Sequence, residues 1–253
     1  MRLFRLSVIF LLAVGLFATA CSKNKVSDDD QKKATGYFEM AVAYMNGGDA
    51  TGALDQLLKA TALNPFDPEI ENALGLVYYS KEKFDKAITH FQKAIELDPH
   101  HSDAHHNLGH LFLTQGRFDP AIEEFKKALD NDLYRNRAQT LNALGYCYYK
   151  KRDYLKAEQT LRMCIDYDRL YFMAYGNLGK VYLALERFED ARGVLERALE
   201  LKPLFPDAML DLGLVYFKIG KKSQAAELWK HVKQLDPHGE FGARADDLLG
   251  LFQ

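Results

Sequence analysis

A 34-residue period constrains this chain more than any other property of its sequence. Residues 68–101, PEIENALGLVYYSKEKFDKAITHFQKAIELDPHH, place Leu74, Gly75, Tyr78, Phe84, Ala87, Phe91, Ala94, Leu97 and Pro99 at places 7, 8, 11, 17, 20, 24, 27, 30 and 32 of the unit. Places 4, 7, 8 and 11, and again 17, 20, 24 and 27, are three or four apart, so each set forms one stripe on a helix. Lys81–Lys83 makes the turn between the helices, and Pro99 ends the second. Gly75 and Ala87 are small enough to let two antiparallel helices approach closely. Such a helical pair cannot bury its apolar faces alone, so it must stack on copies of itself.

The copies are present. Place 8 recurs as Ala41, Gly75, Gly109, Gly145, Gly179 and Gly213, at spacings of 34, 34, 36, 34 and 34. Place 20 recurs as Ala53, Ala87, Ala121, Ala157, Ala191 and Ala225, and place 24 as Leu57, Phe91, Phe125, Leu161, Leu195 and Trp229. The pattern, with Leu-Gly at 7–8, an aromatic at 11, Ala at 20 and often Pro at 32, resembles the tetratricopeptide repeat (TPR). The resemblance implies an all-α fold: a right-handed superhelical TPR solenoid of six helix-turn-helix repeats, closed by a C-terminal capping helix. The repeats are 34–67, 68–101, 102–137, 138–171, 172–205 and 206–239, in one repeat domain, and 240–253 is the cap. Two extra residues in ALDNDLYRNRAQ, between repeats three and four, are either a longer loop or a local change that shapes a binding surface.

Upstream of the repeats, residues 1–20 combine Arg2 and Arg5, an apolar run of about a dozen residues and a small-residue end, the pattern of a secretory signal. Ala18, Thr19, Ala20 and Cys21 resemble a bacterial lipobox, with Ala18 where Leu is commoner. That resemblance implies lipidation of Cys21 and a lipid-anchored outer-membrane location facing the periplasm, since Ser22 is not the aspartate of inner-membrane retention. Several acyl chains hold firmly, each buried methylene contributing roughly 0.8 kcal/mol. The alternative is an ordinary cleaved signal with an incidental cysteine. Residues 21–33 read as a flexible tether spanning roughly 20 Å.

Without residues 1–20 the chain has 31 basic against 35 acidic residues. It has no polybasic surface suited to nucleic acid. No nucleophile motif, phosphate-binding glycine loop or paired-carboxylate signature is present, which points away from an enzyme, a small-molecule substrate and a cofactor. His106 and His110 share a helix face at i, i+4, but no third and fourth metal ligand is fixed beside them. Cys147 and Cys164 fall at places 10 and 27 of one hairpin, offset axially by roughly 8 Å at 1.5 Å per residue. A disulfide tolerates about 7 Å between Cα atoms, so the sequence predicts two buried free thiols.

In TPR proteins, places 5, 9 and 12 of each first helix line the concave face. Here these are Phe38, Val42 and Met45; Asn72, Leu76 and Tyr79; His106, His110 and Leu113; Asn142, Tyr146 and Tyr149; Gly176, Lys180 and Leu183; and Leu210, Leu214 and Phe217. The central set, Leu76, Tyr79, His106, His110, Leu113, Asn142, Tyr146, Tyr149, Lys180 and Leu183, is the expected partner-binding groove. Lys180 is its one cation, which disfavours clamping of a terminal carboxylate, and the apolar lining favours a helix or strand of a protein partner. Some of these side chains alternatively pack against the adjacent second helix.

In anchor, length and repeat number, and in the lengthened junction LDNDLYRNRAQTLNALGYCYYKKRDYLKAEQTLRMCI, the chain resembles the type IV pilus pilotins of the PilF/PilW/Tgl type. This implies a binding protein that brings the pilus secretin protomer to the outer membrane or promotes its multimerisation. The other class is an NlpI-like envelope adaptor that scaffolds peptidoglycan enzymes.

Overall fold

A computed structural model describes residues 26–252 of the chain. The signal segment and Cys21 lie outside the described residues. The chain divides into two compact units on either side of the Leu97–Asp98 bond.

The first unit holds α1 (Asp28–Asn46), α2 (Ala50–Leu63), α3 (Pro68–Ser80) and α4 (Phe84–Leu97). The start of α1 corrects the sequence reading: Asp28–Lys33, assigned to the tether, form its first turns. The reason is local. Ser27 caps the helix by accepting from the Asp30 amide at 3.1 Å, and three aspartates in the first turn face the positive end of the helix dipole. Asn64 at the end of α2 then donates to Gln31 at 2.8 Å.

The second unit holds α5 (Ser102–Thr114), α6 (Phe118–Leu129), α7 (Arg137–Lys150), α8 (Tyr154–Tyr167), α9 (Phe172–Ala184), α10 (Phe188–Leu201), α11 (Pro206–Lys218), α12 (Lys222–Leu235) and α13 (Glu240–Leu249), with a short 3-10 turn after it. Within each unit the helices pair antiparallel, and each pair stacks on the next; among the described residues there is no strand.

One contact recurs in five of the six repeat pairs. A Cβ built on Gly109 would sit 2.9 Å from the Phe125 ring, and one on Gly145 2.7 Å from Leu161. Gly75 meets Phe91, Gly179 meets Leu195 and Gly213 meets Trp229 in the same way. The place-20 alanines are fully buried in all six repeats. Trp229 also donates its indole N–H to the Leu210 carbonyl at 3.1 Å, so its single polar atom is satisfied inside the core.

The turns are equally regular. Gly48, Glu82, Gly116, Arg152, Glu186 and Gly220 all occupy place 15 and all have φ between 56 and 82°. In each, the next residue's amide reaches back five residues, as from Lys83 to Tyr78 at 2.9 Å, and the place-15 amide reaches back three, as from Glu82 to Tyr79 at 2.9 Å. This is the Schellman closure, which satisfies the last carbonyls of the first helix. Three of the six positions carry a side chain where glycine is the unstrained choice.

A second device appears only in repeats two and three. Glu71 at place 4 is 1% exposed and accepts from His90 at 2.7 Å and Lys93 at 2.6 Å. In repeat three the acid and the histidine exchange places: His105 contacts Glu124 at 2.6 Å, with Lys127 at 2.8 Å. Burial pushes Glu71 up, but the hydrogen bonds and charges of His90 and Lys93 outweigh it, leaving its carboxyl below the usual range. The expected free thiols are present, both buried: Cys164 donates to the Ala138 carbonyl, and burial pushes each pKa up to about 12.

Two outcomes follow for stability. Gly213→Ala forces a methyl into the Trp229 ring and should cost about 1–3 kcal/mol in urea unfolding, whereas Glu186→Gly relieves a left-handed residue and should gain about 0.5–1 kcal/mol. Because the folded pKa of Glu71 is depressed, its contribution is complete above the unfolded value of about 4.3 and disappears as pH falls through the lower folded value. Wild-type stability should therefore fall below that pH more steeply than that of Glu71→Gln, as read from thermal melts across pH 2–6.

Candidate functional site: a cavity in the second unit

The second unit has an open cavity of about 810 Å³ walled by α5, α7, α9, the start of α11 and α13. It brings together His106, His110, Leu113, Asn142, Tyr146, Tyr149 and Lys180 from the expected groove. The other three lie elsewhere. Leu183 packs against the core. Leu76 lines a separate hollow of about 140 Å³ in the first unit, and Tyr79 there packs its ring 5.8 Å from Phe84. Two outer groove positions are also buried: the space beside Gly176 is filled by Phe205, and Leu210 is inside the core.

Tyr146, Tyr149 and Tyr154 form a run of rings, each 6.1 Å from the next, with the Lys150 ammonium 5.5 Å from the Tyr146 ring. Tyr146 and Tyr149 give the wall flat apolar faces with hydroxyl tips, and Tyr154 backs them from the core. The lining is more polar than places 5, 9 and 12 implied. Gln139, Asn142 and Asn177 add amides, and Asn177 donates to Asn142 at 2.9 Å. The apolar groove expected from the sequence is thus a mixed one, with hydrogen-bonding groups among its aromatic faces.

Lys180 does not present a free cation. Its ammonium lies 2.7 Å from Asp207 and 2.6 Å from Asp211, and Arg244 on α13 reaches Asp207 at 3.2 Å. Lys180 is 15% exposed and Asp211 12%. Burial works against the Lys180 charge, but the two carboxylates prevail and its pKa is raised. Burial pushes Asp211 up despite Lys180, whereas Lys180 and Arg244 hold the better-solvated Asp207 down. A ligand carboxylate would have to displace an aspartate, so the network disfavours terminal-carboxylate capture on structural grounds.

His106 is held at the other end of the cavity. Its Nδ1 lies 2.7 Å from the Thr140 hydroxyl, and its ring packs 5.8 Å from Phe125 and 6.4 Å from Tyr134. Burial, with the neighbouring His110, lowers its pKa to about 4, so it is neutral at pH 7. Tyr134 comes from the irregular junction between repeats three and four and donates to Asp103 at 2.9 Å. The inserted loop therefore supports a wall of the cavity. Among the described residues no group of three or more His, Cys, Asp or Glu is placed to hold a metal ion.

The reading from places 5, 9 and 12 missed Gln139, Met173 and Asp207 at place 2, Ala143 and Asn177 at place 6, and Lys150 at place 13. Places 2, 6, 9 and 13 continue one helical stripe, so i, i+4, i+7 counting could have found them. It also missed Glu240, Phe241 and Arg244, because nothing in a capping helix signals that its first turn lines a cavity.

Family models described as TPR repeat and tetratricopeptide repeat match residues 75–116, and 106–166 with 177–239, respectively. No curated protein matches the sequence. Among solved structures, Pseudomonas aeruginosa PilF superposes with a TM-score of 0.79 at 16% identity, over 88% of this chain and 99% of that one. PilW, described as a widely conserved type IV pilus biogenesis factor, gives 0.76 at 20% identity over 85% and 98%. YrrB, described as a TPR protein with an unusual peptide-binding site, gives 0.60 at 19% identity over 76% and 97%.

The Lys180 network makes a stability prediction. Lys180→Met leaves the buried Asp211 carboxylate without its cation, Asp207 keeping Arg244, and should cost about 3–5 kcal/mol in urea unfolding. Adding Asp211→Asn should restore most of the loss.

Proposed function

The chain belongs to the tetratricopeptide-repeat family, and on that premise we propose that it is a protein-binding scaffold of type IV pilus biogenesis. In this reading it promotes the localisation or multimerisation of the pilus secretin, tethered to the outer membrane by an acylated Cys21 and facing the periplasm. The observation that carries the reading is the likeness in fold to PilF and PilW over nearly their whole lengths. The cavity supplies the means.

A polypeptide segment entering it meets tyrosine faces for its side chains and the amides of Gln139, Asn142 and Asn177 for its backbone groups. An unassembled secretin protomer exposes surface that its neighbours later cover. Holding such a segment until assembly requires binding alone, with no bond made or broken. The lipid anchor would concentrate this binding at the membrane where the pore forms.

The test compares heat-resistant secretin multimers in outer-membrane fractions from wild type, a deletion, and Cys21→Ala. Multimers should be lost in the deletion. In Cys21→Ala, multimers in the wrong membrane identify transport as the role, whereas loss of multimers identifies assembly. Tyr146→Glu with Tyr149→Glu should abolish multimers while the circular dichroism spectrum stays helical. Normal outer-membrane multimers in the deletion strain would sink the secretin reading and leave the envelope adaptor for peptidoglycan enzymes.

A further inference from the structure

Two adjacent histidines on α5 are bonded in contrasting ways. His105 has both ring nitrogens engaged, Nδ1 with the Glu124 carboxylate at 2.6 Å and Nε2 with the Pro99 carbonyl at 3.1 Å, and it is buried. It is a core residue with no bonding capacity to spare. His106 lines the cavity and has one nitrogen engaged, Nδ1, which lies 2.7 Å from the Thr140 hydroxyl. Among the described residues its Nε2 has no hydrogen-bond partner.

The state of that nitrogen follows from its neighbours. The Thr140 hydroxyl also lies 3.0 Å from the Asn136 carbonyl. A hydroxyl has one hydrogen and a carbonyl only accepts, so Thr140 donates to Asn136 and the His106 Nδ1–H donates to Thr140. His106 is neutral, because burial and the neighbouring His110 outweigh Asp103. A neutral imidazole protonated at Nδ1 keeps a bare lone pair at Nε2. Its direction is set as well. Thr140 is fully buried and does not line the cavity, so the Nδ1 edge of the ring faces the core and the opposite edge faces the cavity. Phe125 and Tyr134, both buried, hold the ring at centroid distances of 5.8 and 6.4 Å.

We infer that His106 is a ligand-contacting residue of the cavity, whose Nε2 accepts a hydrogen bond from an uncharged N–H or O–H of the bound polypeptide segment, such as a backbone amide or the side chain of Asn, Gln, Ser or Thr. This deepens the reading of the cavity as a binding site for a polypeptide and rests on it. Chemistry excludes the other classes. A carboxylate has no hydrogen to give. An ammonium or guanidinium has, but the burial that keeps His106 neutral equally opposes a ligand's cation beside it. The carboxylates that could offset such a cation are already engaged, Asp207 and Asp211 by Lys180 and Asp103 by Tyr134 and Asn136. A segment that covered Nε2 without donating would bury an unsatisfied acceptor, at a loss of affinity of roughly tenfold.

Long-range proton–nitrogen correlation spectra of the purified full chain, isotope-labelled at its histidine nitrogens, test this without the partner, with His106 assigned from its loss in His106→Gln. At pH 7 its Nδ1 should be of the pyrrole type and its Nε2 of the pyridine type. N-methylacetamide, a single peptide group, should shift the Nε2 resonance saturably, whereas N,N-dimethylacetamide, which has the same carbonyl and no N–H, should not. A pyrrole-type Nε2 overturns the proposal, as does an Nε2 indifferent to N-methylacetamide or shifted equally by both amides. The purified secretin protomer is the second probe. Its affinity should fall about tenfold in His106→Leu, with helical content unchanged, and recover in His106→Gln, whose amide oxygen still accepts. Full affinity in His106→Leu overturns the acceptor role. A wild type that binds no secretin sinks the secretin reading alone, and the amide spectra then decide for or against the acceptor.

Discussion

The contact between a missing side chain and a large one is the constraint on which the rest of the structure depends. At place 8 of five repeats a glycine backbone lies against the ring or branched end of the place-24 residue, and in the first repeat Ala41 and Leu57, both fully buried, fill the same positions. This sets how closely the two helices of a pair approach. Close approach in turn requires an abrupt reversal, which the left-handed residue at place 15 provides. Glu82, Arg152 and Glu186 accept the backbone cost there because two closing hydrogen bonds and the packed pair hold the turn in one conformation.

Polar groups add specificity to this apolar frame. The acid–histidine pairs of repeats two and three join the two helices of a single repeat, in opposite senses. Lys180, Asp207, Asp211 and Arg244 instead join the alternate helices α9, α11 and α13, fixing the C-terminal helix against the cavity wall. A buried ion network contributes little net stability against a well-packed apolar alternative. Its consequence here is geometric: α13 is held where Phe241 and Arg244 face the cavity, so the cap of the stack also forms part of the cavity wall.

What the sequence made legible follows from this division. Repeats, helix pairs and the fully buried alanines could be read because sterics at places 8, 20 and 24 admit few residue types, so the period survives divergence elsewhere. The partners of Lys180 could not, since Asp207 and Asp211 lie about thirty residues away and meet it only once neighbouring repeats stack. The start of α1 was missed for a different reason. A run such as SDDDQKK has the composition of a tether, and only the capping by Ser27 and the anchoring of Gln31 by Asn64 turn it into helix.

Repeat four shows where such a chain is free to acquire function. Every position that sets its fold obeys the pattern: Gly145 lies against Leu161, Ala157 is fully buried, and Arg152 closes the turn. Its departures fall at places the period leaves unconstrained. On the side of α7 that faces the cavity are Tyr146 and Tyr149; on the solvent side of α8 are Leu155 and Met163; before it runs the lengthened junction that seats Tyr134 against His106. Cys164, at a place that is alanine in four other repeats, is the exception that clarifies the rule, because its small buried thiol finds a carbonyl acceptor without moving the helices. A repeat stack whose spacing is fixed by a few small residues can vary both faces of one unit independently.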